Sequence, residues 1–134
     1  MFAVVVEDEV VGAADVGATG FGVLRSAHTG SWLGRAHQGR GLGRELREAA
    51  LHLVFDGLGA RFATTSAFDD NEPSLGVTRS LGYRPDGPDR VVRRGAPATV
   101  LRFRLEAGDW RARLRRDDVD VLGLEPCLPL LGAV

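Results

Sequence analysis

Residues 35–57 read RAHQGRGLGRELREAALHLVFDG, and two different periods meet inside them. Gly39, Gly41 and Gly43 alternate through the first part, among Arg35, Arg40 and Arg44. From Leu42 onward the spacing turns helical: Leu42, Leu46, Ala49, Ala50 and Leu53 form one stripe, against Arg44, Glu45, Arg47, Glu48 and His52. This pattern predicts a helix over 42–56 that stops at Gly57-Leu58-Gly59. A helix start offers unpaired backbone N–H groups and the positive end of the dipole. Glycines just ahead of it let those amides approach an anion closely, because no Cβ intervenes. Arginines add charge suited to phosphate. The stretch reads as a pyrophosphate cradle; the competing reading is a glycine-rich strand-to-helix turn with solvated arginines.

Working outward, β-formers dominate upstream. Phe2–Val6 and Val10–Val16 flank the polar Glu7-Asp8-Glu9 and read as a hairpin. Turn glycines follow over 17–26, and Ala27–Leu33 is a third strand leading into the loop. Downstream, Arg61–Phe68 alternates as a strand, and Asp69-Asp70-Asn71-Glu72-Pro73 caps a short helix that runs to Leu81 and ends at Gly82. Val91–Arg94 and Thr99–Leu105 read as two antiparallel strands, and Ala107–Arg116 as a short basic helix. The sum is an α/β (α+β) domain with a mixed sheet over 1–116. The segment 117–134, with four acids, no bases and two prolines, has no assignment.

Composition narrows the function classes. At 134 residues the size fits one domain, and 44% hydrophobic with 26% charged residues is ordinary for a soluble protein. The net charge of −1 provides no global attraction to nucleic acid or acidic lipid. One cysteine, Cys127, excludes an internal disulfide and fits a reducing, cytoplasmic setting. No apolar run approaches the roughly 20 residues of a membrane span, and the N-terminus has no signal-peptide pattern. All 17 basic residues are arginine, which rules out a Walker loop and Schiff-base chemistry on the chain. Residues 84–116 hold ten arginines against four acids, yet Arg102 and Arg104 alternate with Leu101, Phe103 and Leu105 as a solvated strand face would. Without interleaved aromatics this is not a nucleic-acid pattern, and no metal-ligand spacing is present.

The dinucleotide fingerprint G-x-G-x-x-G does not fit the glycine spacing. The pattern that fits is Q-x-x-G-x-G, carried by Gln38-Gly39-Arg40-Gly41-Leu42-Gly43. It resembles the acetyl-CoA loop of the GNAT N-acetyltransferases, and the surrounding SWLGRAHQGRGLGRELREAAL is similar to their Rim-type branch, which acetylates ribosomal-protein N-termini. A second stretch, Asn71 to Tyr83, resembles that branch's N-x-x-S-x-x-V-x-x-x-L-G-[FY] segment.

The resemblance implies an acetyl-CoA-dependent acetyl transfer to a primary amine by direct attack. The strand ending Trp32-Leu33-Gly34 would pair with the pantetheine arm and offer a backbone N–H to the acetyl carbonyl. The loop from Arg35 through Gln38, Gly39, Arg40, Gly41, Leu42 and Gly43 to Arg44 would hold the pyrophosphate. Asn71 would reach the pantetheine. Many family members place a tyrosine acid where this chain has Thr78. Ser74 is then the candidate donor to the leaving sulfur, and the base is His28 or an acid around Asp69 and Asp70. The family's opening strand and two helices, one wall of the acceptor site, precede the point at which this sequence starts. That difference raises the alternative of a catalytically impaired acetyl-CoA-binding module. It also leads to the expectation of a homodimer across the uncovered Phe2–Val6 edge.

Overall fold

The computed structural model describes residues 1–133. Strand β1 (Phe2–Val6) turns at Glu7 and Asp8, both at positive φ, into β2 (Glu9–Gly17). A one-turn helix α1 (Phe21–Leu24) then interrupts the stretch read as a turn. Gly20 and Arg25, both left-handed, bracket it, and Phe21 anchors it by burial. Next come β3 (Ser26–Leu33), α2 (Leu42–His52) and β4 (Phe62–Phe68), followed by α3 (Glu72–Ser80), β5 (Arg84–Arg93), β6 (Ala96–Glu106) and α4 (Ala107–Arg113). Helix α2 does not end at His52 but widens into a π-turn over Leu53–Gly57. The last hairpin is longer than the sequence pattern predicts: β5 is an edge strand, where prolines are tolerated, and its two prolines flank a register shift.

The six strands lie in the order β1-β2-β3-β4-β6-β5. Every pairing is antiparallel except β3 with β4, which is parallel and spans only Ser26↔Phe62, Ala27↔Ala63 and His28↔Thr64. This is a mixed, mostly antiparallel α/β sheet, as expected. Gly12 makes the β2–β3 seam possible: a Cβ there would stand 2.1 Å from the Trp32 carbonyl oxygen.

The core lies on one face of the sheet. Ala27, Ala63, Phe103 and Leu105 point into it, meeting Leu51, Val54, Phe55 and Leu58 from α2 and its extension, Leu75 from α3 and Trp110 from α4. The buried stripe of α2 is therefore Arg47, Leu51 and His52, continuing to Val54, Phe55 and Leu58. That is rotated from the predicted stripe, whose Leu46, Ala49 and Ala50 are only half-buried. The prediction counted charge against Arg47 and His52, whereas the four larger apolar residues downstream set the face. Trp110 packs against Phe55 at 5.1 Å and edge-on to His52 at 4.8 Å. The segment after α4 folds back: Leu124, Leu128 and Ala133 pack on the core, and His52 Nε2 accepts from the Arg116 N–H at 3.0 Å.

Candidate active site

Three paired residues are all that join β3 to β4; beyond His28 and Thr64 the two strands part. At the fork the hydroxyls of two buried threonines take over from the backbone. Thr65 Oγ1 donates to the Thr29 carbonyl at 3.1 Å, and Thr29 Oγ1 to the Thr64 carbonyl at 3.5 Å. From there the strands open into a cleft of about 250 Å³ lined by Gly30 and Ser31, by Thr65, Ser66, Ala67 and Phe68, by Asn71 and Ser74 of α3, and by Arg47 of α2. Backbone groups on both edges are left without a strand partner, so an extended ligand with amides of its own would find acceptors and donors on each side.

The glycine loop stands at the end of β3. Gln38 closes it, donating from Nε2 to the Leu33 carbonyl at 3.0 Å, while the Gly34 N–H is bonded to Val11. Gly39 and Gly41 both take positive φ, and a Cβ at either would meet nothing within 4 Å. Gly41 is the N-cap of α2 and offers no side-chain acceptor, so the first amides of the helix remain uncapped in front of open space. Uncapped amides at a helix start are a place where an anion can bind. The arginines differ in what they bring. Arg40 donates to the Ala36 carbonyl at 3.3 Å and Arg35 is exposed, while Arg44 turns down the helix to Glu48 at 2.9 Å and Ser80 at 2.7 Å. Its charge is thus partly matched within the chain.

Asn71 caps α3, accepting from the Ser74 N–H at 3.4 Å, and both residues line the cleft. Thr78, by contrast, is 1% exposed and its hydroxyl accepts from Arg47 Nη1 at 2.7 Å. His28 is not with them. Strand alternation puts it on the sheet face opposite Ala27 and Thr29, exposed, with Nδ1 3.3 Å from Thr64 Oγ1. Asp70 is held by Arg93 through two bonds of 2.9 and 3.0 Å. Trp32 is 66% exposed at the end of β3, beside the half-buried Leu33. A larger apolar cavity of about 660 Å³ lies elsewhere, between Val16, Phe21 and the C-terminal segment, and has none of these groups.

Sequence reading missed Arg47. The signal was present: stepping back four residues from Leu51 along the Leu51, Val54, Phe55, Leu58 stripe lands on it. Its guanidinium is buried, donates from Nη1 to the Ser74 carbonyl at 3.3 Å as well as to Thr78, and lies 5.5 Å from the centre of the Tyr83 ring. Burial lowers its pKa, offset by the neighbouring Tyr83. Burial also raises the pKa of Tyr83, with Arg47 and Thr29 opposing that shift. Neither Arg47 Nη2 nor the Tyr83 hydroxyl makes a hydrogen bond of ordinary geometry, and both are buried.

Five of the ten arginines of 84–116 are paired with acids inside the fold. Arg84 pairs with Asp109, Arg93 with Asp70, Arg102 with Asp89, Arg115 with Asp56 and Arg116 with Glu48 and Asp118.

The profile of the acetyltransferase (GNAT) domain matches residues 1–84, which takes in the hairpin, the glycine loop, the forked strands and α3. This chain belongs to the GNAT acetyltransferases. Among solved structures, the GNAT chain is similar in fold to RimJ of Mycobacterium smegmatis, determined with CoA-disulfide (TM-score 0.73, 22% identity, covering 82% of this chain and 57% of that one). It is also similar to the ribosomal-protein-S5-alanine acetyltransferase of Vibrio fischeri (0.71, 20%, 78% and 58%). A third likeness is to the dodecameric spermidine N-acetyltransferase of Vibrio cholerae (0.73, 19%, 81% and 64%). The GNAT chain spans 57–64% of the length of these three. No helix among its described residues is long and apolar enough to cross a membrane.

Proposed function

We propose that this GNAT chain binds acetyl-CoA across the β3–β4 fork and transfers the acetyl group to a primary amine. The observation that carries the reading is the fork itself: a parallel pairing of three residues opens into a cleft with an uncapped glycine loop at its mouth. In this reading the amides of Gly39 to Arg44 hold the pyrophosphate, and the strand end at Trp32, Leu33 and Gly34 meets the pantetheine through the backbone groups that β2 and Gln38 leave unpaired. Asn71 contacts the same arm, and Ser74 donates a hydrogen bond toward the sulfur. The amine approaches from the opposite, open face, where His28 is available as the base. The Rim-type branch is the one we favour, on its two sequence motifs and with the fold likeness to RimJ in support. The acceptor class is then a protein N-terminus, with a small polyamine as the competing substrate. A reducing, cytoplasmic setting suits the free, exposed Cys127.

One observation favours a second reading, acetyl-CoA binding without efficient turnover. The candidate base and the candidate donor do not share a cavity, since His28 lies outside the cleft that Ser74 lines. Two measurements separate the readings. Acetyl-CoA or CoA should raise the melting temperature, by about 2.7 kcal/mol of stabilisation at about 100 times Kd, and NAD and ATP should do much less. Gly41→Val should abolish the shift, as its side chain enters the anion opening in a strained backbone conformation. Equal shifts from all three ligands would sink the assignment. If the chain is an enzyme, Ser74→Ala lowers kcat with acetyl-CoA affinity nearly unchanged; binding with no acetylation of any amine would leave the binding module.

A further inference from the structure

Among the described residues Arg47 is the one buried arginine, and its charge faces the Tyr83 ring at 5.5 Å rather than a carboxylate. Holding α2 to α3 takes only Nη1, which bonds Thr78 and the Ser74 carbonyl; a neutral amide could do the same. Burying a cation without a carboxylate is costly. No carboxylate acts on Arg47: the only titratable neighbour that does is Tyr83, a neutral phenol below its raised pKa. Nη2 makes no hydrogen bond of ordinary geometry. A guanidinium cannot shed its proton in the physiological range, so the charge stays. It stands in the wall of the cleft, one helical turn in from the loop that would take the pyrophosphate.

Resting on the proposed acetyl transfer, the geometry points to one negative charge that would arrive there. The phosphates are met at the loop, so the part of acetyl-CoA that passes between the strands is its thioester end. The amine nitrogen forms the C–N bond with its lone pair, and the carbonyl pair moves to oxygen and returns. As the C–S bond breaks, its electron pair stays on sulfur. We propose that Arg47 stabilises this departing thiolate electrostatically. Sulfur then leaves as an anion paired with the guanidinium, Ser74 gives it a hydrogen bond, and the amine proton goes to the base at the open face, His28 in the proposed reaction. No side chain has to surrender a proton to the leaving group. In a low-dielectric cleft a fixed charge at this place favours the product-like state over the neutral thioester, which is how an electrostatic group accelerates a step.

The thiol of bound CoA reports this directly. Its ionisation is followed by thiolate absorbance against pH, in protein carrying Cys127→Ser so that only the CoA sulfur is read. With Arg47 intact the bound thiol should ionise at lower pH than free CoA. A midpoint lower by about one pH unit corresponds to about tenfold more thiolate at neutral pH. Arg47→Met should return the midpoint to that of free CoA, and Arg47→Lys should keep part of the effect. Turnover should follow, kcat falling in the Met variant while the KM for acetyl-CoA changes little. A bound thiol that titrates as free CoA in the presence of Arg47 overturns the proposal, and this comparison stands even if the Met variant does not fold. Equal titration in the Arg and Met proteins overturns it too. Failure of any CoA to bind would bring down the proposed function itself, an outcome distinct from binding with a thiol that titrates as it does in free CoA.

Discussion

Tyr83 has a buried hydroxyl without a hydrogen bond of ordinary geometry, the kind of group that costs free energy in a folded chain. Removing it in Tyr83→Phe should therefore be neutral or stabilising by up to about 1 kcal/mol. Alkaline titration gives a second handle. Burial raises the folded pKa above the unfolded value of about 10, so the contribution of Tyr83 is complete below that pH and is lost as pH rises through the folded pKa. Urea melts from neutral to strongly alkaline pH should show the wild-type protein losing stability faster than Tyr83→Phe. A variant less stable than wild type at neutral pH by more than about 1 kcal/mol would mean the hydroxyl is bonded after all. What the sequence made legible at this scale was local chemistry. Asn71 caps α3 as its position before Glu72-Pro73 implied, and Glu7 and Asp8 make the expected turn. Arg47 was read as solvated because residue type alone argues against burying a charge. Only the long-range approach of Thr78 and Ser74 makes that burial tolerable, and no local pattern encodes it.

Elements were legible wherever one period dominated. The strands β1 to β4 and helices α2 and α3 follow their patterns to within a few residues, whereas α1, bracketed by turn signals, and the full length of β5, with its two prolines, did not. The fork was not legible either: Thr29 and Thr65 look like ordinary strand residues until the register shows that pairing stops beside them. The β2–β3 seam that presents Trp32 and Leu33 depends on Gly12. Gly12→Ala would put a carbon 2.1 Å from a backbone oxygen, which cannot swing aside as a side-chain tip can. It should cost about 2–3 kcal/mol, in the range of overpacked cores. Gly17→Ala in the same strand, where a Cβ meets nothing within 4 Å, should cost less than about 1 kcal/mol. Chemical denaturation of the two variants checks the contrast; equal losses would show that β3 can slide to make room.

At the scale of the whole molecule, the sheet has two edges and one covered face. Edge strand β1 leaves Phe2 50% and Val5 55% exposed, Val10 opposite Val5 on β2 is 66% exposed, and Glu7, Asp8 and Glu9 are the charged residues at the turn between the two strands. Such an edge favours pairing with another strand. We expect this chain to self-associate, most simply as a two-fold dimer through β1, and Val5→Lys to reduce it. Sedimentation at rising concentration is the measurement, and an unchanging monomer would overturn the expectation. The fork divides the same sheet into two leaves, β1-β2-β3 and β4-β6-β5, bound along a spine of three residue pairs. An extended ligand in the gap acts as a surrogate strand and completes the ladder between them. Its effect would then reach beyond the residues it touches. Amide hydrogen exchange should slow together in both leaves when the gap is filled, because opening the protein would then require breaking a continuous sheet at its former weakest line.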